Sequence, residues 1–229
     1  MELARFSRQM AFIGKDAQLR LSTSTVGIIG TGGLGTVVAQ LLCRMGVGKL
    51  VLVDGDVVLA HNLPRQVLFE EDDIGQAKVD AAAHHLARIA SSCRVTTARI
   101  HVNKLDDLDS CLGVDLLVDC TDNHKTRRLI DAFCAEHRLP WVHGASIRDK
   151  GLVCFFDLVQ GPITSYDDLY HAKDEVEQCD VSGVMATTTH LVASLQAQLA
   201  VDFLTCRRVP DKCFRIDASR VCIESFSLR

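Results

Sequence analysis

One stretch near the start of the chain constrains the fold more than any other. Residues 26–29 are apolar and largely β-branched, residues 34–45 follow a helical pattern that ends in glycine, and residues 50–53 form a second apolar run. Two apolar runs of strand length with a helix between them are typical of neighbouring parallel strands in an α/β sheet. The stretch therefore predicts the first strand–helix–strand unit of such a sheet.

A glycine-rich turn joins the first predicted strand to the helix, and an acid ends the second strand. The glycines are Gly30, Gly32, Gly33 and Gly35, and the acid is Asp54. Glycines let the backbone approach phosphates, the helix amino end offers free N–H donors, and the acid accepts hydrogen bonds from ribose hydroxyls. Glycines alone are a weak signal, but together with both strands and the acid they predict nucleotide binding.

Charge and cysteine content exclude several other classes of protein. The net charge of −4 gives no general electrostatic case for binding nucleic acid or an anionic membrane surface. No apolar run is long enough to span a bilayer, and the amino terminus lacks the apolar segment of a signal peptide. None of the ten cysteines forms a CxxC pair, and several lie in apolar runs. We therefore expect a reduced, cytoplasmic protein without integral membrane association.

The rest of the first two thirds continues the parallel pattern. Val79, Ala82, Leu86 and Ile89 recur at helical spacing in one predicted helix, and residues 124–137 form another. Residues 94–102 alternate as in a strand, and residues 114–118 form a further apolar strand. Before the first strand, residues 2–21 hold two short helical stretches broken near Gly14.

The pattern changes near residue 141. Residues 141–159 read as two antiparallel strands joined by a polar turn, residues 161–178 as a mobile loop, residues 182–205 as a long apolar helix, and residues 212–228 as a β-hairpin. We therefore predict a Rossmann-like doubly wound sheet, mainly parallel through residue 145 and antiparallel in the C-terminal third. The predicted single domain (1–229) has a helical arm (1–22), a nucleotide-binding core (23–145) and an antiparallel extension with a crossover loop (146–229).

Further polar residues follow the ends of predicted strands, where open α/β sheets bind ligands. Asp56, Asn62 and Arg65 lie in the loop after the second strand. Lys78 lies in the first turn of a helix, where a cation opposes the helix dipole, and this favours a functional lysine. Asp122 follows the 114–118 strand, and from the residues alone it is equally a helix N-cap or a functional acid.

Eight motifs in one order give the chain a resemblance to a known family. They are RFSRQ, GTGGLG, LVDGD, NLPRQ, GQAKV, DCTDN, GASIR and CDVSGV…SLQAQ, and they run from about residue 5 to residue 205. The order resembles the ThiF/MoeB/HesA-type adenylyltransferases of the ubiquitin-activating superfamily. The resemblance implies ATP- and magnesium-dependent adenylation of the C-terminal glycine of a small ubiquitin-like sulfur-carrier protein, with release of pyrophosphate.

The resemblance also assigns roles to positions in this chain. Gly33 with Gly30 and Gly32 would let the backbone approach the ATP phosphates, and Asp54 would bind ribose hydroxyls. Asp122 would coordinate magnesium. The remaining cofactor-binding positions implied by the match are Asp56, Asn62, Arg65, Gln66, Lys78 and Asn123, with Arg65, Lys78 and Asp122 also expected to act in catalysis.

Three further expectations concern partners and the end of the reaction. Arg8 matches an arginine that the family inserts into its partner's site, which implies a homodimer. Cys179 matches a cysteine that links covalently to the carrier in some relatives, and it is a candidate for acyl transfer toward a sulfur donor. Many relatives bind zinc through two CxxC pairs, and because both are absent here we expect no zinc.

Other functions fit parts of the pattern. A related enzyme could activate a small-molecule or tRNA carboxylate, although no basic tract supports tRNA binding. A binding subunit with the same fold would need no catalytic residues. An NAD-dependent oxidoreductase explains the glycine turn and Asp54, yet it leaves Asn62, Arg65, Lys78 and Asp122 without roles. The sequence does not name the carrier protein or its pathway.

Overall fold

The protein is built around one eight-stranded sheet with helices on both faces. The structure, a computed structural model, describes residues 3–157, 165–170, 183–210 and 212–227. The strands are β1 (Thr25–Ile29), β2 (Lys49–Val53), β3 (Arg94–Ala98), β4 (Leu116–Asp119), β5 (Trp141–Ile147), β6 (Lys150–Phe156), β7 (Cys213–Asp217) and β8 (Cys222–Phe226). The helices are α1 (Ser7–Ile13), α2 (Lys15–Thr23), α3 (Gly33–Met45), α4 (Lys78–Ile89), α5 (His124–His137) and α6 (Ala186–Leu204).

The strand order β3-β2-β1-β4-β5-β6-β7-β8 confirms the predicted fold class. Strands β1 to β5 pair in parallel, whereas β6, β7 and β8 join the sheet antiparallel. The chain leaves β1 toward β2 and β3 on one side and returns to β4 on the other. In such sheets a ligand crevice forms where the direction of winding reverses, here above the carboxyl ends of β1, β2 and β4.

Alternation along the central strands builds two cores. Ile28 and Leu52 belong to the cluster beneath α3, α4 and α6, whereas Ile29 and Val53 belong to the cluster beneath α5. Successive side chains of a strand point to opposite faces, so a strand buried on both faces must be apolar throughout. The continuous apolar runs of β1 and β2 therefore follow from their central position.

Close backbone packing fixes the turn between β1 and α3. Gly30 has a φ of +89°, which favours glycine, and a Cβ on Gly35 would overlap the carbonyl oxygen of Gly30. Only glycine at position 35 lets the first turn of α3 rest on the end of β1. This contact places the amino end of α3 directly above the sheet edge.

Most element predictions are confirmed, but the end of β3 and the start of α6 differ from the prediction. Strand β3 ends at Ala98 rather than residue 102, because the chain then turns over the sheet edge and Arg99 pairs with Asp80 on α4. Helix α6 begins at Ala186, because the preceding Gly183 has a φ of +72° and Val184 bridges to Arg148. Residue 182 lies outside the described residues.

The predicted mobile loop at residues 161–178 is only partly described, and the described portion is packed. Residues 165–170 contain a 3₁₀ turn, Tyr166–Asp168, and Tyr166 is fully buried. Because its neighbours in the sequence are polar, the segment gave no sign that Tyr166 anchors it in the core. Residues 158–164 and 171–182 lie outside the described residues.

The described cysteines behave as the sequence indicated. Cys43, Cys120, Cys134 and Cys154 are buried and free, as are Cys93, Cys111 and Cys213. They act as small apolar side chains in the cores. Among the described residues, no helix is both long enough and apolar enough to cross a membrane.

Replacing Gly35 with alanine tests the close contact between α3 and β1. We expect the Gly35→Ala protein to lose at least about 1–3 kcal/mol of unfolding free energy, because the added methyl group meets backbone that cannot rotate away. The matched control is Gly33→Ala, since a Cβ there lies 3.4 Å from Arg65 and Thr189 side-chain carbons, an ordinary contact. Urea denaturation of both variants checks this, and equal midpoints would contradict the packing argument.

Candidate functional site

An open cleft of about 880 Å³ lies above the carboxyl ends of β1, β2 and β4. Its size is in the range of small-molecule sites. All the cofactor-binding residues predicted from the sequence line it: Gly30, Gly32, Gly33, Asp54, Asp56, Asn62, Arg65, Gln66, Lys78, Asp122 and Asn123. The structure thus brings together residues spread over almost one hundred positions, and their individual roles stay predictions.

The first turns of four helices border the cleft. The lining residues include Gly33 at the start of α3, Lys78 at the start of α4, Asn123 just before α5, and Thr189 in the first turn of α6. The N-cap residue of α3 is Gly32, which has no side chain that could cap the helix. Helix amino ends carry partial positive charge and free N–H groups, so their convergence favours an anion. The cleft therefore suits a polyphosphate.

The Asp54 carboxylate organises the floor of the cleft. Its Oδ2 accepts hydrogen bonds from the Thr31 backbone N–H at 2.7 Å and the Thr31 hydroxyl at 3.0 Å. Its Oδ1 accepts from the Asp56 backbone N–H at 2.8 Å. Asp54 thus joins the loop after β1 to the loop after β2, a structural role that its position after a strand did not reveal. Its side chain still lines the cleft, so a ribose contact stays compatible with its geometry.

Lys78 is held at the wall of the cleft by an ion pair. Its Nζ lies 2.8 Å from Asp56 Oδ2, and its side chain is 8% exposed while that of Asp56 is 55% exposed. The sequence signal for a functional lysine was its unfavourable position in the first turn of α4. Asp56 explains how the fold tolerates this charge, and the pair leaves the ammonium group beside the helix amino ends.

The loop after β2 places a second cation next to the glycine turn. Arg65 Nη1 donates to the His61 carbonyl at 2.9 Å, and the stem of Arg65 packs against Gly33. Asn62 is buried, and its Oδ1 accepts from the Leu59 N–H at 3.0 Å. Gln66 is also buried, and its Oε1 has no hydrogen-bond partner within the described part of the chain. A buried polar atom without a partner in the wall of a cleft is suited to a ligand contact.

The helix cap after β4 is Asn123, so the interpretation of Asp122 as the N-cap was wrong. Asn123 Oδ1 accepts from the Thr126 N–H at 2.9 Å, as an N-cap requires. Aspartate and asparagine cap helices equally well, and only the backbone geometry decides which one does so. The Asp122 carboxylate is exposed at the cleft, and within the described residues its side chain makes one hydrogen bond, a 3.5 Å contact with the Asn123 amide.

The sequence analysis missed a buried polar cluster beneath Asp122. Asp119, the last residue of β4, lies 2.7 Å from His143 Nδ1 and 3.5 Å from Arg127 Nε. Asp119 and His143 are paired residues of β4 and β5, and both are fully buried. Only the register of the two strands brings these residues together, and the sequence carries no signal for that register.

Charge in this cluster is balanced. Burial by itself raises the pKa of Asp119, but the His143 hydrogen bond and the Arg127 charge hold its pKa below the usual value. Burial lowers the pKa of His143 despite its hydrogen bond to Asp119. The cluster is therefore an anionic Asp119 and a cationic Arg127 with a neutral His143 that donates its Nδ1 proton.

Lys125 and His101 are among the lining residues that the sequence analysis missed, although Lys125 carried a readable signal. Lys125 lies in the first turn of α5, the same unfavourable place for a cation as Lys78, and its Nζ lies 3.3 Å from Asn103 Oδ1. His101 packs against Gly55 and lies 3.7 Å from Asp56. Lys125 adds a further cation to the lining of the cleft.

Arg8 and Cys179 are not part of the described cleft. Arg8 is exposed on α1 and does not belong to the lining residues. Arg5 and Gln9 fasten this arm to the body of the protein through the carbonyls of Ile89 and Met45. Cys179 lies outside the described residues, so its role in acyl transfer stays a prediction.

The cleft can supply part of a magnesium site. Asp122 offers an exposed carboxylate beside the helix amino ends, and magnesium is usually held by one or two carboxylates together with substrate phosphates and water. In the described ranges, no three His, Cys, Asp or Glu side chains cluster in a way that could hold a metal. The donor set therefore fits magnesium brought with a nucleotide.

The fold and the cleft define the class of this protein as a nucleotide-binding α/β domain whose site is rich in both cations and carboxylates. A family model described as "ThiF family" matches residues 6–228. The chain belongs to the ThiF family, which confirms the recognition made from the motifs.

Curated relatives agree with this assignment. The chain is 37% identical over 201 residues to "Adenylyltransferase and sulfurtransferase MOCS3" of Sus scrofa, which covers 86% of this chain and 44% of that protein. It is 34% identical over 208 residues to "SAMP-activating enzyme E1" of Haloferax volcanii, which covers 89% of this chain and 76% of that protein. The chain thus spans less than half the length of the MOCS3 relatives that it matches.

A solved structure confirms the architecture. Escherichia coli MccB with ATP superposes with a TM-score of 0.85 at 23% identity, over 98% of this chain and 71% of MccB. PaaA superposes with a TM-score of 0.84 at 21% identity, over 99% of this chain and 73% of PaaA. At these identities the likeness shows the fold.

Adjacent substitutions test the assignment of the helix cap. We expect Asn123→Ala to cost about 1 kcal/mol of unfolding free energy, because the Thr126 N–H loses its acceptor. Asp122→Ala, one residue earlier, removes no cap and should leave stability within about 0.5 kcal/mol of the parent protein. Thermal or urea denaturation distinguishes the two, and a larger loss in Asp122→Ala than in Asn123→Ala would return the cap to Asp122.

Proposed function

We propose that this protein uses ATP and magnesium to adenylate the C-terminal glycine carboxylate of a small ubiquitin-like sulfur-carrier protein, releasing pyrophosphate. The observation that carries the proposal is the arrangement of Arg65, Lys78 and Asp122 around the amino ends of helices in one cleft. Family membership and the similarity to enzymes named as adenylyltransferase and SAMP-activating enzyme support the same reaction.

The charges of the cleft match the needs of this reaction. The carrier carboxylate oxygen forms a bond to the α-phosphorus of ATP as the bond from that phosphorus to the bridging oxygen of pyrophosphate breaks. The carboxylate is already ionised, so no general base is required. What the reaction needs is neutralisation of an anionic nucleophile and an anionic leaving group, together with fixed alignment.

Each cation has a distinct place in this scheme. Arg65, packed against Gly33, would bind phosphate oxygens at the amino end of α3 with the part of its guanidinium not used by His61. Lys78, held by Asp56, would approach the phosphates from α4. Fixed donors in a partly enclosed cleft stabilise developing charge without having to reorganise during the reaction.

Asp122 would hold magnesium, which supplies charge neutralisation to the phosphates when bound. Because Asn123 caps α5, the Asp122 carboxylate is released from a structural role and is free to serve a ligand. Asp54 and Asp56 would meet the ribose from the loop after β2. In this interpretation two of the acids would contact the ribose, and the third would bind the metal ion.

We further propose that the enzyme is a homodimer in which Arg8 completes the partner's cleft. The arm is fastened to its own subunit by Arg5 and Gln9, yet Arg8 is exposed and does not line the cleft of that subunit. A cation supplied across a twofold interface would add to Arg65 and Lys78 at the phosphates.

Removing the Asp122 carboxylate tests the reaction directly. We expect Asp122→Ala to lower the rate of ATP–pyrophosphate exchange by about 100- to 1000-fold, because one group that acts on the developing charge is lost. The assay uses magnesium, ATP and a panel of purified ubiquitin-fold proteins that end in Gly-Gly. The exposed acid Asp109, outside the cleft lining, provides the matched control Asp109→Ala, which should exchange as the parent does. Unchanged exchange by Asp122→Ala would remove Asp122 from the mechanism.

Subunit mixing tests the shared site. Arg8→Ala and Asp122→Ala should each be inactive alone, whereas an equal mixture with randomised subunits should recover about a quarter of parental exchange, since half the dimers then hold one intact site of two. A protein with both substitutions in one subunit, mixed with Asp122→Ala, should recover nothing. Absence of recovery after mass spectrometry has shown subunit exchange would argue against a site shared between subunits.

A further inference from the structure

The turn that carries Asp122 is held by hydrogen bonds between buried side chains and the neighbouring residue Thr121. Asp119 Oδ1 accepts from the Thr121 backbone N–H at 2.9 Å and from the Thr121 hydroxyl at 2.6 Å. Arg127 Nη2 donates to the Thr121 carbonyl at 2.6 Å. The N–H, hydroxyl and carbonyl of Thr121 are thus all fixed, and the direction of the next residue depends on where Asp119 and Arg127 lie.

The second oxygen of Asp119 connects the turn to β5. Oδ2 accepts the Nδ1 proton of His143 at 2.7 Å, and the backbone carbonyl of Asp119 accepts from Gln196 at 2.7 Å. A Cβ at Gly144 would overlap the Gln196 amide, so Gln196 fills the space beside His143 closely. His143 therefore has little freedom to turn away from Asp119.

The other ring nitrogen of His143 faces the segment 165–170. The Tyr170 hydroxyl donates to His143 Nε2 at 3.5 Å, and the two rings are perpendicular with centroids 6.2 Å apart. The Tyr166 ring also packs edge-on against His143, with centroids 5.4 Å apart. Since Nδ1 donates to Asp119, Nε2 is the acceptor, and the direction of every hydrogen bond from Tyr170 to Thr121 is determined.

We propose that Tyr170, His143 and Asp119 are positioning residues that form a relay through which the docked segment 165–170 sets the orientation of Asp122. The inference rests on the proposed function, in which Asp122 serves magnesium and the nucleotide. The relay makes docking of this segment and formation of a competent Asp122 turn a single event.

A polar relay at this place is not required for packing. Buried polar groups gain little stability over well-packed apolar ones, and apolar side chains at positions 143 and 170 would fill the same volume without needing partners. The polar chain instead fixes geometry, because each donor has one defined acceptor. Asp119, the last acceptor of the chain, holds Thr121. Outer groups of this kind typically change ligand affinity or activity by about 10- to 100-fold when removed.

Two substitutions interrupt the relay at the same link. Tyr170→Phe keeps the ring and removes the donor to His143. His143→Asn keeps a donor near the position of Nδ1 for Asp119 and removes the acceptor for Tyr170. The matched control is His137→Asn, which makes the same change at an exposed histidine at the end of α5.

The first readout is the magnesium requirement of pyrophosphate exchange. We expect Tyr170→Phe and His143→Asn each to raise the magnesium concentration that gives half the maximal rate about 10-fold. The rate of pyrophosphate exchange at saturating magnesium should change less. The double variant should match the single variants, because both act on one contact. Independent effects would instead multiply to about 100-fold. His137→Asn should match the parent protein.

The second readout needs no activity. Hydrogen exchange followed by mass spectrometry on the protein without ATP or magnesium should show faster exchange in peptides spanning residues 119–124 in both relay variants, where the Thr121 N–H is bonded to Asp119. The rest of the protein should exchange as in the parent. If the parent protein exchanges no pyrophosphate, the proposed function fails and hydrogen exchange alone decides the relay. Unchanged exchange at 119–124, or an increase spread across α5 and the central strands, would overturn the relay.

Discussion

Two carboxylates at the carboxyl edge of the sheet hold the loops that form the cleft, one directly after β2 and one at the end of β4. Asp54 after β2 bonds the loops that follow β1 and β2, and Asp119 at the end of β4 bonds the turn that follows β4. Parallel strands end at one edge, and their connecting loops have no ladder partners there. A carboxylate accepts several N–H groups at once, so one side chain can replace the missing backbone partners of a whole loop. These two anchors hold the loop that carries Asp56 and the turn that carries Asp122.

The electrostatics of the cleft follow from the same arrangement. Four helices begin at the edge where the strands end, and their amino ends together with Arg65, Lys78 and Lys125 make that edge favourable to anions. Such a concentration of positive potential is unfavourable without nearby acids. Asp56 neutralises Lys78 directly, and Asp122 stays exposed among the helix ends. Lys78 is thus stabilised in the absence of a substrate while it lines the cleft.

The sequence predicted the parallel half of the fold well because its signals are local. The apolar runs of β1 and β2, the glycine turn and the span of α5 each depend on residues adjacent in the chain. Asp54, Asp56, Asn62, Arg65 and Asp122 were predictable as cleft residues because strand ends meet at one edge, whereas Gln66 and Asn123 were indicated only by the family resemblance. Contacts set by register or by a single anchor were not predictable. Asp119 meets His143 only because β4 and β5 pair in one register, and Tyr166 is buried within an otherwise polar segment.

The choice of helix cap between Asp122 and Asn123 is a second feature that the sequence could not decide. Both are good helix caps, they are adjacent, and only the extended backbone at Asn123 decides which side chain reaches Thr126. Because the cap lies one residue later, at Asn123, the Asp122 carboxylate has no capping role and is accessible to a ligand. The contribution of Arg8 is a different case, because it depends on a second copy of the chain and no property of one chain determines it.

Detection of the product is the most direct test of the central claim. Intact-mass spectrometry of a Gly-Gly-ending ubiquitin-fold protein, after incubation with this enzyme, magnesium and ATP, should show the carrier joined to AMP at its C-terminal carboxylate. Hydroxylamine should convert that adduct to a hydroxamate, and a carrier without its last glycine should form none. Hydrolysis of ATP to ADP and phosphate with no AMP adduct on any carrier in the panel would contradict the account.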